Sequence, residues 1–408
     1  YKYFLFKFYF ILKFYILNIG IMVKKDTNII NLFKKYITNF YVLTALIFLI
    51  TVLIICYNIP ESFYLPKKYY RCDTKKIGQI TGEIFQNNNI KKDNNDWDIY
   101  VPCGYNHVEK ELLTIKVNNN KNKFIFGING CDSIVSKNKI WESLVECFGR
   151  HEASNYMPES YVLHRSNDMK IFREHFDSKN IYILKKNVQR KEGLKLTNNL
   201  DVILKSVLDN YRVVQKYKTD LYLINQRKVN LRIYLLIVIK NGILKFYVSN
   251  LGKCIYTRKK YNHNNYDFES NITSYNLDMN VYNKNPRTFK ELFSYIDNNS
   301  NANNNSYILS NNIHKLMHKI SQCLANNIFQ SSNIKMTTSF QIFGADVIFD
   351  NNFHPYLLEL NKGPDMIPRD EEDKLMKKRV QEDMFKIVGI IPNYTTNNVF
   401  FEIFSKKL

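Results

Sequence analysis

Between Phe343 and Pro364 lie Asp346, Glu359 and Asn361, three side chains of a kind that can hold a divalent cation. Two apolar runs flank the turn signal Asp350-Asn351-Asn352, which predicts a β-hairpin. Side chains alternate along a strand, so Glu359 and Asn361 share one face of the second strand. Asp346, on the first strand, joins that face if the pairing register allows. Three oxygen donors converging from a rigid hairpin suit a Mg²⁺ ion that must also hold nucleotide phosphates. The same alternation fits an amphipathic hairpin with solvated carboxylates, so the surrounding segments must decide. Lys362, directly after the third donor, reads as a solvated lysine.

Several elements must position these groups. From Phe124 onward the pattern is α/β. Ile181–Leu184 predicts a short strand ending in Lys185-Lys186, followed by a polar loop to Gly193 that includes Arg190, and then a second short strand. Strand, basic loop and strand make a plausible phosphate clamp, with backbone N–H groups and cations supplying positive potential. Tyr211–Tyr217 is a further strand, containing Gln215, Lys216 and Tyr217. Arg227–Ile239 pairs with Ile243–Val248 through Asn241-Gly242, a strong short-range hairpin signal. Period two puts Lys228, Asn230 and Arg232 on one face and Leu231, Ile233 and Leu235 on the other. Cations at the margin of a buried run call for an anionic partner. Helical spacing appears over Ile140–Phe148, Asn167–Phe176, Ile308–Phe329 and Arg369–Ile387, the last ending at Gly389 with Pro392 beyond.

The chain has 408 residues and a formal net charge of +21, which suits an acidic partner. No RNP-type or helix-turn-helix signature interleaves the lysines, so no nucleic-acid partner is expected. Seven cysteines and eight histidines form no CxxC pair and no zinc spacing. Cys72 could pair with Cys103 beside the aromatic run Trp97–Tyr105; scattered reduced thiols are the alternative. Phe40–Ile59 carries no charge and is long enough to span a bilayer, so a single N-terminal transmembrane anchor is expected. Basic residues on both sides leave its orientation open. The expected organisation is an N-terminal segment over 1–39, with Met22 as the first methionine, the anchor over 40–59, and a linker over 60–130. A catalytic domain over 131–392 and a tail over 393–408 complete it.

Four segments in order carry a family resemblance. Tyr182-Ile-Leu-Lys185, Val213-Val-Gln-Lys-Tyr217, Lys228-Val-Asn-Leu-Arg-Ile-Tyr234 and Leu357-Leu-Glu-Leu-Asn361 resemble the tubulin–tyrosine ligase-like proteins, over roughly residues 131–390. The resemblance implies an ATP-grasp fold of class α/β (α+β), with antiparallel sheets and flanking helices. Lys185, Arg190 and Gly193 would contact ATP phosphates. Gln215, Lys216 and Tyr217 would form the hinge against adenine, largely through backbone. Lys228 and Arg232 would hold phosphate oxygens, Asn230 would meet a ribose hydroxyl, and Thr273 would complete the nucleotide site. Asp346, Glu359 and Asn361 would bind Mg²⁺, with Arg232, Lys228 and Glu359 the catalytic set. ATP would convert a carboxylate to an acyl phosphate, which an amine then attacks to give an amide.

Some positions depart from the family pattern. Asn230 stands where most members have Asp, Asn271-Ile-Thr-Ser274 replaces His-Leu-Thr-Asn, and Ile255 falls where an arginine is usual. These forms look similar to a divergent protist and algal branch. The expected function is ATP-dependent addition of Glu, Gly or Tyr to a protein such as tubulin. Two alternatives are a membrane-tethered nucleotide- or microtubule-binding protein that has lost turnover, and a ligase with a non-tubulin acceptor in the secretory pathway. The expected location is a membrane, with the catalytic domain cytosolic in the tubulin reading and lumenal if the anchor is a signal anchor.

Overall fold

The computed structural model describes Thr44 and residues 66–117, 123–188, 193–273, 275–276, 278–299, 304–393 and 398–408. Over these the chain is a mixed α/β fold built on two sheets. Its strands are β1 (Lys68–Tyr70), β2 (Lys91–Lys92), β3 (Ile99–Tyr100), β4 (Phe124–Phe126), β5 (Ser160–Val162), β6 (Tyr182–Lys185) and β7 (Leu194–Thr197). They continue as β8 (Val213–Lys216), β9 (Leu223–Ile224), β10 (Arg227–Lys240), β11 (Ile243–Tyr256), β12 (Thr338–Phe349), β13 (Pro355–Asn361) and β14 (Phe400–Lys407). The helices are α1 (Gln79–Asn87), α2 (Val108–Thr114), α3 (Cys131–Val135), α4 (Lys137–Ala153) and α5 (Ser166–His175). After them come α6 (Leu200–Lys205), α7 (Phe268–Asn271), α8 (Phe289–Asn298), α9 (Asn305–Leu324) and α10 (Glu371–Val388).

β10 and β11 form the expected hairpin, and Asn241 and Gly242 both adopt positive φ (+53° and +71°), the backbone a tight primed turn requires. The alternation of β10 then sorts its residues between two cores. Leu231, Ile233, Leu235, Ile237 and Ile239 enter one with Ile140 and Trp141 of α4 and Ile313, Leu316 and Met317 of α9. Tyr234, Leu236 and Val238 enter the other with Val380, Met384 and Phe385 of α10 and Ile80 and Ile84 of α1. Each such side chain contributes about 1.5–3 kcal/mol by leaving water, which fixes the strand's register against a one-residue slip.

The large sheet runs β14-β11-β10-β12-β4-β3-β1-β2, with β13 added to β12 and β9 to β10. Residues 60–130, expected as a linker, are therefore different from Lys68 on: β1 to β4 pair in parallel and join the sheet beside β12. The final residues, expected as a tail, supply the edge strand β14. Both segments carry short apolar runs whose burial needs a partner that no local pattern names. The expected anchor Phe40–Ile59 lies, Thr44 apart, outside the described residues, and among those described no helix is long and apolar enough to cross a membrane.

The smaller sheet, β5-β8-β6-β7, is antiparallel throughout. Tyr161, Tyr182, Leu184 and Val214 pack there against Met169 and Phe172 of α5 in a hydrophobic cluster of their own. Cys72 and Cys103 are disulfide-bonded, and Cys131, Cys147, Cys254 and Cys323 are free.

Candidate functional site

The pairing of β10, β12 and β13 decides which polar side chains meet. Arg232 lies opposite Asp346, and Asp346 lies opposite Glu359. Directly paired residues point to the same face, so the three form a row across the strands. Arg232 Nε and Nη2 donate to Asp346 Oδ1 and Oδ2 at 2.6 and 3.2 Å, a two-pronged ion pair. Asn361, two residues beyond Glu359, donates to Glu359 Oε1 at 3.4 Å.

A β-bulge makes this row workable. Strict alternation would put Leu357 and Glu359 on one face. The register shifts between Asp346 and Val347, so Leu357 pairs with Val347 and is buried in the core while Glu359 faces out beside Asp346. Leu358, the extra residue, turns its carbonyl toward Lys185, whose Nζ donates to it at 3.4 Å.

Lys185 comes from β6 of the smaller sheet, and a cavity of about 590 Å³ lies between the two sheets. Lys185, Gln215, Lys216, Tyr217, Lys228, Asn230, Arg232, Thr273, Asp346, Glu359 and Asn361 all line it. Gly193 does not; a Cβ there would come within 2.7 Å of Val188 and 2.8 Å of Lys186, so its role is to let the chain close at the start of β7. Arg190 lies outside the described residues.

The expected hinge residues Gln215, Lys216 and Tyr217 sit at the margin of the smaller sheet, on the cavity. The backbone N–H groups of Lys216 and Tyr217 already donate to the carbonyls of Glu159 and Ile181, at 2.8 and 2.9 Å. Both donors are therefore engaged within the protein. The Gln215 amide is likewise held, donating to Pro158 O and Ser160 Oγ. Lys362 is a correction: it is buried, not solvated, and is ion-paired with Asp132 of α3. The chain turns inward after β13, which carries this lysine under α3.

The electrostatics set the cavity's carboxylates among several buried cations. Lys228 is buried with no carboxylate in ion-pair range among the described residues; its Nζ donates to Tyr217 Oη at 3.1 Å and stands 4.4 Å from that ring's centroid. Burial, then Lys185, brings its pKa down to about 7. Burial also brings Lys185 down to about 8, Glu359 opposing and Lys137 adding. Burial alone would raise Glu359, but Lys137, Lys185 and Arg232 together hold it below the usual carboxylate range. Asn230 Oδ1 is buried and has no hydrogen-bond partner among the described residues.

Lys137, at the start of α4, was missed by sequence reasoning. It is buried, lines the cavity, lies 3.6 Å from Glu359 Oε2 and donates to the Val188 carbonyl at 2.9 Å. A lysine just ahead of an apolar helical run carries no signal that separates it from a solvated one.

Residues 115–398 match the sequence profile described as "Tubulin-tyrosine ligase family". The chain belongs to this family. Among its curated relatives is the mouse tubulin monoglutamylase TTLL4, 25% identical over 333 residues, which cover 74% of this chain and 26% of that protein. Tubulin glycylase 3D of Tetrahymena thermophila is 26% identical over 51% of this chain and 21% of its own length. The probable tubulin polyglutamylase ttll-9 of Caenorhabditis elegans is 23% identical over 58% of each. The match spans only about a quarter to a third of the mouse and human tubulin monoglutamylases TTLL4, at 26% and 30% of their lengths. The match begins well before residue 131, in line with β4 being part of the large sheet.

Proposed function

We propose that the cavity binds ATP with Mg²⁺ and that the chain is an ATP-dependent ligase joining an amino acid to a carboxylate of a protein acceptor, with tubulin as that acceptor. The observation that carries this is one cavity lined both by the donors Asp346, Glu359 and Asn361 and by two buried lysines, Lys185 from the smaller sheet and Lys228 from the same strand as Arg232. The residues fit both groups. Two carboxylates and an amide oxygen are donors that Mg²⁺ accepts. The buried Lys228, with no carboxylate in ion-pair range among the described residues, and an unpartnered Asn230 oxygen are what a phosphate chain and a ribose hydroxyl would satisfy.

ATP would supply the phosphoryl group that activates the acceptor carboxylate, and Mg²⁺ would offset the charge that builds on it. The chain's own residues hold and orient. Arg232 fixes Asp346 and offers its remaining N–H groups to phosphate oxygens; Lys228, steadied by Tyr217, offers its donors from nearer the start of β10; Glu359 is kept ionised by three cations. The relatives named above as glutamylases and glycylases support glutamate or glycine as the amino acid, and the +21 charge suits an acidic acceptor.

The test is incorporation of labelled glutamate or glycine into tubulin by the wild type and by Glu359→Gln, alongside ATP hydrolysis. Transfer that falls at least a hundredfold in the variant supports the reading. Mg-dependent ATP binding with no product on any acceptor would establish a binding protein without turnover. The Cys72–Cys103 bond favours a second reading, in which an anchor at Phe40–Ile59 places the domain in an oxidising compartment with a different acceptor. Protease protection of the large domain in intact vesicles would support that arrangement; digestion would sink it.

A further inference from the structure

Side-chain contacts tie α4 to α9 rung by rung. Asn327, in the turn that follows α9, donates to Ser143 Oγ of α4 at 2.9 Å. Lys319 Nζ of α9 stands 5.3 Å from the centroid of the Phe148 ring. As α4 advances from 143 to 148 its partners step back from 327 to 319, so the two helices run antiparallel. Residues four apart share a helix face, which sets Cys147 beside Ser143 and Cys323 between Lys319 and Asn327. The two cysteines meet on the rung between: their thiols are hydrogen-bonded to each other, and neither is in a disulfide.

The two halves of this pair differ. Cys147 is exposed, whereas Cys323 is 1% exposed. Burial pushes the Cys323 thiol up, Cys147 and Glu152 adding and Lys319 opposing. A reagent from solvent therefore reaches Cys147 first, and Cys323 reacts only through it. The other two free thiols, Cys131 and Cys254, are buried, and their polar neighbours are the Glu109 carboxylate and the Tyr256 phenol.

The helix that carries Cys147 also reaches the cavity. α4 begins at Lys137, 3.6 Å from Glu359 Oε2, and the next residue, Asn138, accepts from Asn187. Its helical backbone is broken at Gly149 (φ +79°, ψ +159°), two residues after Cys147. Residues 137–148 thus form one helical rod, with the cavity lysine at one end and Cys147 near the other. α9 is fixed by Leu316, Met317 and Ile320 in the main core. A covalent tie at Cys147 would fix the rod to that core.

We infer that Cys147 and Cys323 are a redox-responsive pair, forming by exchange with a small-molecule or protein disulfide a second disulfide that pins residues 137–148 of α4 to α9. Glutathione disulfide represents the class of oxidant. The Cys147 thiolate attacks one of its sulfurs, forming a mixed disulfide and releasing one glutathione thiolate. The Cys323 sulfur, its proton passing to solvent, then attacks the Cys147 sulfur and releases the second glutathione. Two protein thiols are oxidised to one disulfide, and one glutathione disulfide is reduced to two thiols. The inference stands on the packing of two helices and does not depend on the ligase reading.

The test equilibrates the folded full chain in buffers of stepped glutathione to glutathione disulfide ratio. Free thiols are then trapped by alkylation in denaturant, and unreduced peptides are weighed by mass spectrometry. A Cys147–Cys323 crosslinked peptide should rise as the buffer becomes oxidising and vanish on return to reducing buffer, with Cys131 and Cys254 alkylated throughout. Cys323→Ser should leave Cys147 carrying glutathione, and Cys147→Ser should leave Cys323 alkylated and free of glutathione. Amide exchange over residues 137–148 should slow at least tenfold in oxidised wild type and not in Cys147→Ser. That exposed position keeps the comparison valid where Cys323→Ser fails to fold. Glutathione on Cys147 of wild type with no crosslink, a crosslink that forms only in denaturant, no reaction at Cys147, or unchanged exchange in the crosslinked protein would each overturn the inference.

Discussion

Lys228 shows what burial does to a single side chain and what it implies for ligand binding. In the free protein its ammonium is kept from water and stands near a second buried cation, Lys185, so it gives up its proton near pH 7. Phosphate oxygens would reverse this by favouring the charged form. The sign follows: above pH 7 the free side chain is largely neutral and the bound one charged, so binding takes up a proton. ATP titrated calorimetrically at pH 8 in buffers of different ionisation enthalpy should show net proton uptake, and its affinity should fall as pH rises from 7 to 9. Lys228→Met should remove much of that uptake, Lys185 supplying the remainder. Uptake unchanged in the variant would mean that Lys228 does not meet the phosphates.

At the scale of elements, the β10–β11 hairpin sets the geometry of the row, and two of its glycines matter for different reasons. Gly242 has positive φ with open space about it, so alanine there meets only backbone strain of about 1–2 kcal/mol. Gly252 is pressed against Phe289 of α8 and the Arg232 carbonyl, which a Cβ would approach at 2.6 Å. Gly252→Ala should cost stability, by about 1–3 kcal/mol in urea unfolding, and should also reduce activity by displacing Arg232. Gly242→Ala should leave activity per folded molecule unchanged. The sequence announced this hairpin through Asn241-Gly242, and period two correctly grouped Lys228, Asn230 and Arg232. The pairing of Asp346 with Glu359 stayed conditional, because alternation fixes faces within a strand and not register between strands. The bulge at Leu358 was invisible, since an extra residue in a strand looks like any other. Lys137 and Lys362 were beyond reach for a related reason: a lysine's burial is decided by distant chain, here Glu359 and Asp132.

On the scale of the whole molecule, both ends of the described chain are part of the large sheet. β14 covers the open edge of β11, and Asp383 of α10 accepts the N–H groups of Val399 and Phe400 at 2.7 and 2.8 Å. Removing residues 398–408 should therefore lower the melting temperature by several degrees and promote aggregation seen by light scattering, because it bares a strand edge and strips a buried carboxylate of its donors. The smaller sheet is attached unevenly. At one edge Val162 of β5 is packed into the main core, whereas the residues that follow β6 meet α4 through polar contacts: Lys137 Nζ to the Val188 carbonyl, and Asn187 to Asn138 Oδ1. Apolar packing resists separation more than exchangeable polar contacts do, so any opening of this sheet is expected to start at the α4 contacts, as a door hinged along β5 and latched at α4. The latch lysine is also the one beside Glu359, so whatever anion enters the cavity competes for the latch itself. Amide hydrogens of β7 should exchange faster than those of β5 in the free protein, and the difference should narrow when a nucleotide analogue is added.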